Sequence, residues 1–157
     1  MSNTTLILLV VAAVFGSQVN ATKVNKCDGY PNPNNSVVSI TNCDEPPCYL
    51  KKDSKMLVMI RFTPDHNIYE LTTRVWGKKW IWMAYSGVDS TSACDKVYYA
   101  ADGTPASCPL MKGVDYIYKY ELYIDPWYPS ISMIIHWSLQ EYGNDIECFQ
   151  VDGEITS

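Results

Sequence analysis

The sequence is poor in the groups that carry chemistry. It contains only two histidines, His66 and His136. It has no glycine-rich phosphate loop, no G-x-S-x-G elbow and no H-E-x-x-H pair, so the machinery of common nucleotide, acyl-transfer and zinc-hydrolase sites is missing. Basic residues occur as short pairs such as Lys51-Lys52 and Lys78-Lys79, and the formal net charge is −5. Nothing tracks a phosphate backbone, which excludes nucleic acid as a partner. The apolar run from Leu6 to Phe15 falls well short of the roughly 20 residues a bilayer-spanning helix needs. His66 stands beside a turn and His136 on the polar face of an expected strand, so both read as solvated. The carboxylates Asp44 with Glu45 and Asp145 with Glu147 fall in turn-like contexts and read as solvated loops. With no nucleophile and base set, no metal set and no cofactor fingerprint, the chain is expected not to be an enzyme and to need no cofactor.

The amino terminus is read as a secretion signal over residues 1–21. Its apolar stretch is followed by small and polar residues, with Val19 and Ala21 placed for signal peptidase, although no Lys or Arg precedes residue 23. Residues 22–157 then form a single domain that carries all six cysteines, an even set entering an oxidising compartment. Three disulfides follow. In "CDEPPCYLKK", Cys43 and Cys48 favour pairing with each other over holding zinc, because Cys27, Cys94, Cys108 and Cys148 are too scattered to complete a site. A redox pair would be more closely spaced. Spacing alone leaves the full connectivity open. The sequon Asn34-Asn35-Ser36 lies in a turn-rich stretch and makes Asn34 a candidate glycan acceptor.

Apolar residues alternate rather than following a helical period. Met56, Val58, Ile60 and Phe62 fall on one face, as do Tyr116, Tyr118, Tyr120, Leu122 and Ile124, with Lys119 and Glu121 opposite. In the third run Ile131, Met133, Ile135, Trp137 and Leu139 point inward, and Ser132, His136, Ser138 and Gln140 outward. Further strands are expected at 37–41, 71–77 and 146–151. Breakers such as "GYPNPNN", "ADGTP", "DPWYP" and "YGND" separate them. The pattern predicts an all-β chain folded as an antiparallel β sandwich. Twelve Tyr, five Trp and six Met, with a dense group in "WGKKWIWMAYSG", suit a sandwich held open around an adaptable apolar cavity.

The cysteine frame, together with "FTPD", Gly77, "CPLMKGVDYIYKYEL", "YPS", "IIHW" and "ECF", resembles the ML lipid-recognition domains, specifically the Niemann-Pick type C2 branch of secreted sterol and lipid carriers. The resemblance runs from about Lys23 to Val151. It implies an immunoglobulin-like sandwich of two antiparallel sheets with an apolar ligand between them. It also implies the pairs Cys27 with Cys148, Cys43 with Cys48 and Cys94 with Cys108, making the 43–48 stretch a stapled hairpin. Positions matching the family's pocket are Leu50, Met56, Val58, Val75, Ala84, Leu122, Ile124, Tyr128, Pro129, Met133, Ile135 and Trp137. Tyr85 stands beside Ser86, which occupies the place of a mouth phenylalanine. The Cys94 to Cys108 loop is longer than in vertebrate carriers, and both changes are expected near the pocket entrance.

The function so implied is that of a secreted monomeric carrier for an apolar lipid, a sterol or a long-chain fatty acid or alcohol, making transient membrane or receptor contact. Its destination is the extracellular fluid or the lysosomal lumen. The alternative is a lipid-dependent recognition protein, immune or chemosensory, that presents lipid to a receptor.

Overall fold

The computed structural model describes residues 20–27 and 36–157. The expected signal segment falls outside them but for its last two residues, and so does Asn34. Among the described residues the strands are β1 (Asn25–Lys26), β2 (Val37–Ile40), β3 (Cys48–Lys51), β4 (Ser54–Phe62), β5 (Thr72–Lys78), β6 (Trp82–Ala84), β7 (Thr91–Ser92), β8 (Val97–Tyr99), β9 (Tyr116–Ile124), β10 (Ser132–Glu141) and β11 (Asn144–Thr156). One sheet runs β2-β4-β9-β8. The other runs β1-β11-β10-β5-β6, with β3 also on β11 and β7 also on β5. All pairs are antiparallel except β3 with β11. The two sheets face each other as an immunoglobulin-like β sandwich.

The long strands form where the alternation predicts them. In β4, Met56, Val58, Ile60 and Phe62 are buried, and in β9, Tyr116, Tyr118, Leu122 and Ile124. Full burial of each such aliphatic side chain is worth about 1.5–3 kcal/mol against exposure. The β10–β11 hairpin turns on Tyr142 (φ 48°) and Gly143 (φ 83°), two consecutive left-handed residues of the kind that match strand twist in a tight hairpin.

Three expectations need correction. First, residues 43–48 are a crossover, not a hairpin. β2 belongs to the four-stranded sheet and β3 to the other, and Cys48 lies opposite Gly153 in the parallel pair. Pro46 and Pro47 have no N–H to give to a hairpin ladder, so the Cys43–Cys48 bridge staples a change of sheet. Second, the last strand is longer than expected, running from Asn144 to Thr156. Third, Ser138, expected outward and wet, has no exposed surface, and Glu147 is 5% exposed rather than part of a solvated loop. Ser138 lies between Arg74 and Cys148 in register, in the middle of a sheet whose outer face is itself covered there.

The remaining disulfides join Cys27 to Cys148 and Cys94 to Cys108. The loop between Cys94 and Cys108 folds into β8 and an edge turn, where Ala106 N–H donates to Val97 O and Lys119 N–H to Lys96 O.

Candidate functional site

An apolar cavity of about 160 Å³ opens at one end of the sandwich. Strand alternation supplies most of its wall. On β5, Gly77 faces in; β6 gives Met83 and Ala84; β10 gives Met133; and the far end of β11 gives Ile155. Tyr128, Pro129 and Ile131, from the chain between β9 and β10, close another side, and Tyr85 and Lys79 complete the lining. Gly77 is required by close approach. Met133 Sδ sits so near that a Cβ on residue 77 would come within 2.9 Å of it. The flexible thioether of Met133 therefore packs directly against bare backbone in the cavity wall.

The mouth is fixed by the turn after β6. Tyr85 N–H donates to Val75 O at 2.8 Å. Asp89 accepts from Arg74 Nε at 2.9 Å, Val75 N at 3.0 Å and Trp76 Nε1 at 2.8 Å. Burial pushes the Asp89 carboxyl up, and these donors more than offset it, leaving the pKa below the usual range. The Tyr85 hydroxyl donates to Tyr123 O at 3.3 Å, and its ring meets Tyr128 edge-on at 5.5 Å. Burial raises the Tyr85 hydroxyl pKa, with Tyr128 adding to the rise, so it is a neutral polar edge on an otherwise apolar mouth.

Of the residues expected to contact ligand, Ala84, Tyr85, Tyr128, Pro129 and Met133 lie around this cavity. Leu50, Met56, Val58, Val75, Leu122, Ile124 and Trp137 lie deeper, in close-packed core. Ile135 is partly buried against that core, its Cδ1 close over Gly153. Sequence reasoning missed Gly77, Lys79, Met83, Ile131 and Ile155 as lining residues, although alternation had turned Ile131 inward. The apolar alternation Val151, Gly153, Ile155 was available as a signal, but a glycine at its centre reads as a break. The longer Cys94–Cys108 loop, expected at the entrance, contributes no residue to the lining; it packs on the edge of the four-stranded sheet instead.

The segments that line the cavity also carry large apolar side chains in water: Trp80 (82% exposed) and Ile81 between Lys79 and Met83, Met83 itself, and Trp127 (89% exposed) before Tyr128. Lys79 lies 4.8 Å over the Trp80 ring.

The histidines are less free than expected. His66 Nδ1 is 2.5 Å from Asp65 Oδ1 and Nε2 is 2.9 Å from Glu141 Oε2, while Glu141 Oε1 accepts Tyr69 N–H at 2.7 Å. Glu141 is far away in sequence, so only folding reveals the partner. Both ring nitrogens are engaged, which leaves no free base. His136 is half-buried against the Cys27–Cys148 bridge, 3.5 Å from each sulfur. The sulfurs are spent in the disulfide, so this trio offers a metal only one imidazole. In the core, Thr73 and Tyr118 hydroxyls lie 2.9 Å apart, satisfying each other without a base to activate either.

The ML domain model matches residues 21–155. The chain is 25% identical over 151 residues to the NPC intracellular cholesterol transporter 2 of Mus musculus, covering 96% of this chain and 95% of that one. It is 27% identical over 108 residues to the ecdysteroid-regulated 16 kDa protein of Manduca sexta, covering 69% and 70%. Among solved structures, a Niemann-Pick type C2 protein from Japanese carpenter ant superposes with a TM-score of 0.64 at 19% identity, over 87% of this chain and 96% of that one; that likeness supports the sandwich itself. On the extent of the family match, the chain belongs to the ML domain family, with homologues of the Niemann-Pick type C2 kind.

Proposed function

We propose that the chain is a secreted, monomeric carrier that takes up an apolar lipid through the end of the sandwich, shields it from water and releases it at a membrane or to a receptor. The observation that carries this reading is the apolar cavity together with the exposed Trp80, Ile81 and Trp127, each next in sequence to, or between, residues that line it. Aromatic and aliphatic groups around an apolar opening suit contact with a lipid surface, and Lys79 supplies a cation at the mouth. The mouse relative is by name a cholesterol transporter, which favours lipid transport over catalysis.

At about 160 Å³ the cavity is smaller than the roughly 300–1,000 Å³ of ordinary ligand pockets. Ligand therefore has to displace side chains, and Met133 over Gly77 is the one best placed to yield. So small a cavity with Lys79 in its lining favours a linear fatty acid or alcohol over a rigid sterol. In this reading the deeper residues Leu50, Val58, Leu122 and Trp137 meet the ligand only after the sheets part. Residues 1–21 serve as the export signal, and three disulfides suit the extracellular fluid or the lysosomal lumen.

Native mass spectrometry of the oxidised protein from a secreting eukaryotic host tests this, with extraction of whatever co-purifies. A bound lipid of defined mass is expected, lost in Met133→Trp. A protein that emerges empty and takes up neither sterol nor fatty acid when offered them would sink the carrier reading.

A further inference from the structure

We propose that the outer face of the larger sheet carries a second binding site, for a neutral pyranose glycan, independent of the lipid cavity. A solvent-open groove of about 530 Å³ runs across this face, within the size range of small-molecule sites. Alternation builds it from the same strands that line the cavity, using the opposite side chains. Arg74 and Trp76 come from β5, Trp82 from β6, His136 and Gln140 from β10, and Gln150 from β11. Met83 and Met133 point the other way, into the cavity.

The aromatic part is held rigid. Asp89 accepts the Trp76 indole N–H at 2.8 Å. Trp82 meets His136 edge-on at 5.7 Å and keeps 37% of its surface in water. The polar part is planar and already oriented. Gln140 Nε2–H donates to Asp145 Oδ1 at 2.8 Å, and Gln150 Nε2 lies 3.3 Å from His136 Nδ1. Each amide spends one hydrogen-bonding position on these contacts and has others to offer.

The charges discriminate between ligand classes. Arg74 is paired with Asp89 at 2.9 Å, and burial lowers the pKa of His136, keeping the ring neutral near pH 7. Arg74 stands 5.3 Å over Trp76, and Lys78 stands 5.2 Å over Trp82. A cationic ligand would meet the like charges of Arg74 and Lys78 beside the indoles. A polyanion would meet Asp145. An acyl chain would cover amides and a carboxylate without satisfying them. A pyranose fits both halves: its C–H face packs on the part of the Trp82 indole that stays in water, and its hydroxyls pair with amide, carboxylate and imidazole.

The test is titration of isotope-labelled, fully oxidised protein with chitotriose and with cellotriose, followed by NMR. Saturable shifts are expected at the Trp76 and Trp82 indole N–H and the His136 ring, with a Kd on the order of 1 mM for at least one sugar. The Trp80 and Trp127 signals should stay still. Trp82→Ala and Gln150→Ala should each weaken binding by about tenfold, with lipid uptake at the cavity unchanged. Gln150→Ala keeps the test decisive if the tryptophan variant fails to fold. Absence of saturable shifts with both sugars overturns the proposal, as do shifts centred on Trp80 and Trp127. Shifts that follow protein rather than sugar concentration also overturn it, making the groove a contact between copies of the chain.

Discussion

Two buried glutamates, Glu147 and Glu141, respond to pH in opposite directions, and the difference lies in what surrounds each carboxylate. Glu147 is 5% exposed. Burial pushes its carboxyl up to about 7, with a hydrogen bond from Ser36 only partly offsetting the shift. Because the folded state holds this proton more tightly than the unfolded one, stability falls as pH rises from about 4.5 to 7 and is regained on acidification. The difference is at most on the order of 3 kcal/mol. Glu147→Gln should abolish that slope, so wild type and variant should converge in urea midpoint at pH 5 and separate at pH 8, with the variant the more stable. Equal pH slopes would show that the carboxyl is hydrated. Glu141 is also buried, but donors from Tyr69 and His66 outweigh the burial and hold its pKa below the usual range. Asp65, bonded to His66, is lowered too, and His66 is raised, by Asp65 first and then Glu141. The imidazolium contribution is therefore complete below about 6.5 and lost as pH climbs through the raised folded value. The carboxylate contributions are lost as pH falls below the ordinary acid range. His66→Gln should lower the Tm most between about pH 5 and 6 and least above pH 8. A His66 titration midpoint at or below the free-histidine value would remove the basis for this prediction.

At the scale of the strand, Gly153 is where the two sides of β11 are most tightly constrained. A Cβ there would come within 2.5 Å of Ile135 Cδ1 and 3.0 Å of Leu50 Cδ1. Both are side chains wedged in packed surroundings, so Gly153→Ala should destabilise by about 1–3 kcal/mol. At Gly77 the obstructing atom is the flexible Met133 sulfur, so Gly77→Ala should cost less and show itself as a smaller cavity with weaker lipid uptake. Chemical denaturation of the two variants checks the ranking, and a larger loss at Gly77 would mean that Met133 is not the mobile plug. The same strand shows what the sequence could and could not reveal. β4, β9 and β10 were legible because nine or ten residues are enough for alternation to establish a face. β1, β3, β6, β7 and β8 have two to four residues each, too few for any period, and β11 was cut short by its own glycine. At the mouth, Ala84, Tyr85, Tyr128 and Pro129 were reached through family likeness and Met133 through both likeness and alternation, whereas Met83 and Lys79 depend on how β6 folds back on β5. The His66–Glu141 pair and the outer groove were hidden because both depend on register between distant strands.

For the whole molecule, the question is what would hold the sandwich together if, as proposed, one end opens to admit lipid. The three bridges close sequence separations of 121, 14 and 5 residues. The chain-entropy model then ranks them, at about 5, 3 and 2 kcal/mol for Cys27–Cys148, Cys94–Cys108 and Cys43–Cys48. Structure alters that ranking in one place. Cys43–Cys48 spans the crossover from one sheet to the other, whereas β1 holds the Cys27 end by only two ladder residues, Asn25 and Lys26. Paired alanine replacements separate the two influences. If unfolded-state entropy dominates, removing Cys27–Cys148 should cost the most, about 5 kcal/mol in urea unfolding, and should leave the lipid cavity intact in molecules that remain folded. If removing Cys43–Cys48 costs more, the short bridge acts by fixing how the sheets cross. Its loss should then also weaken lipid uptake, because Leu50 and Ile155 are paired across the adjoining strands at the base of the opening.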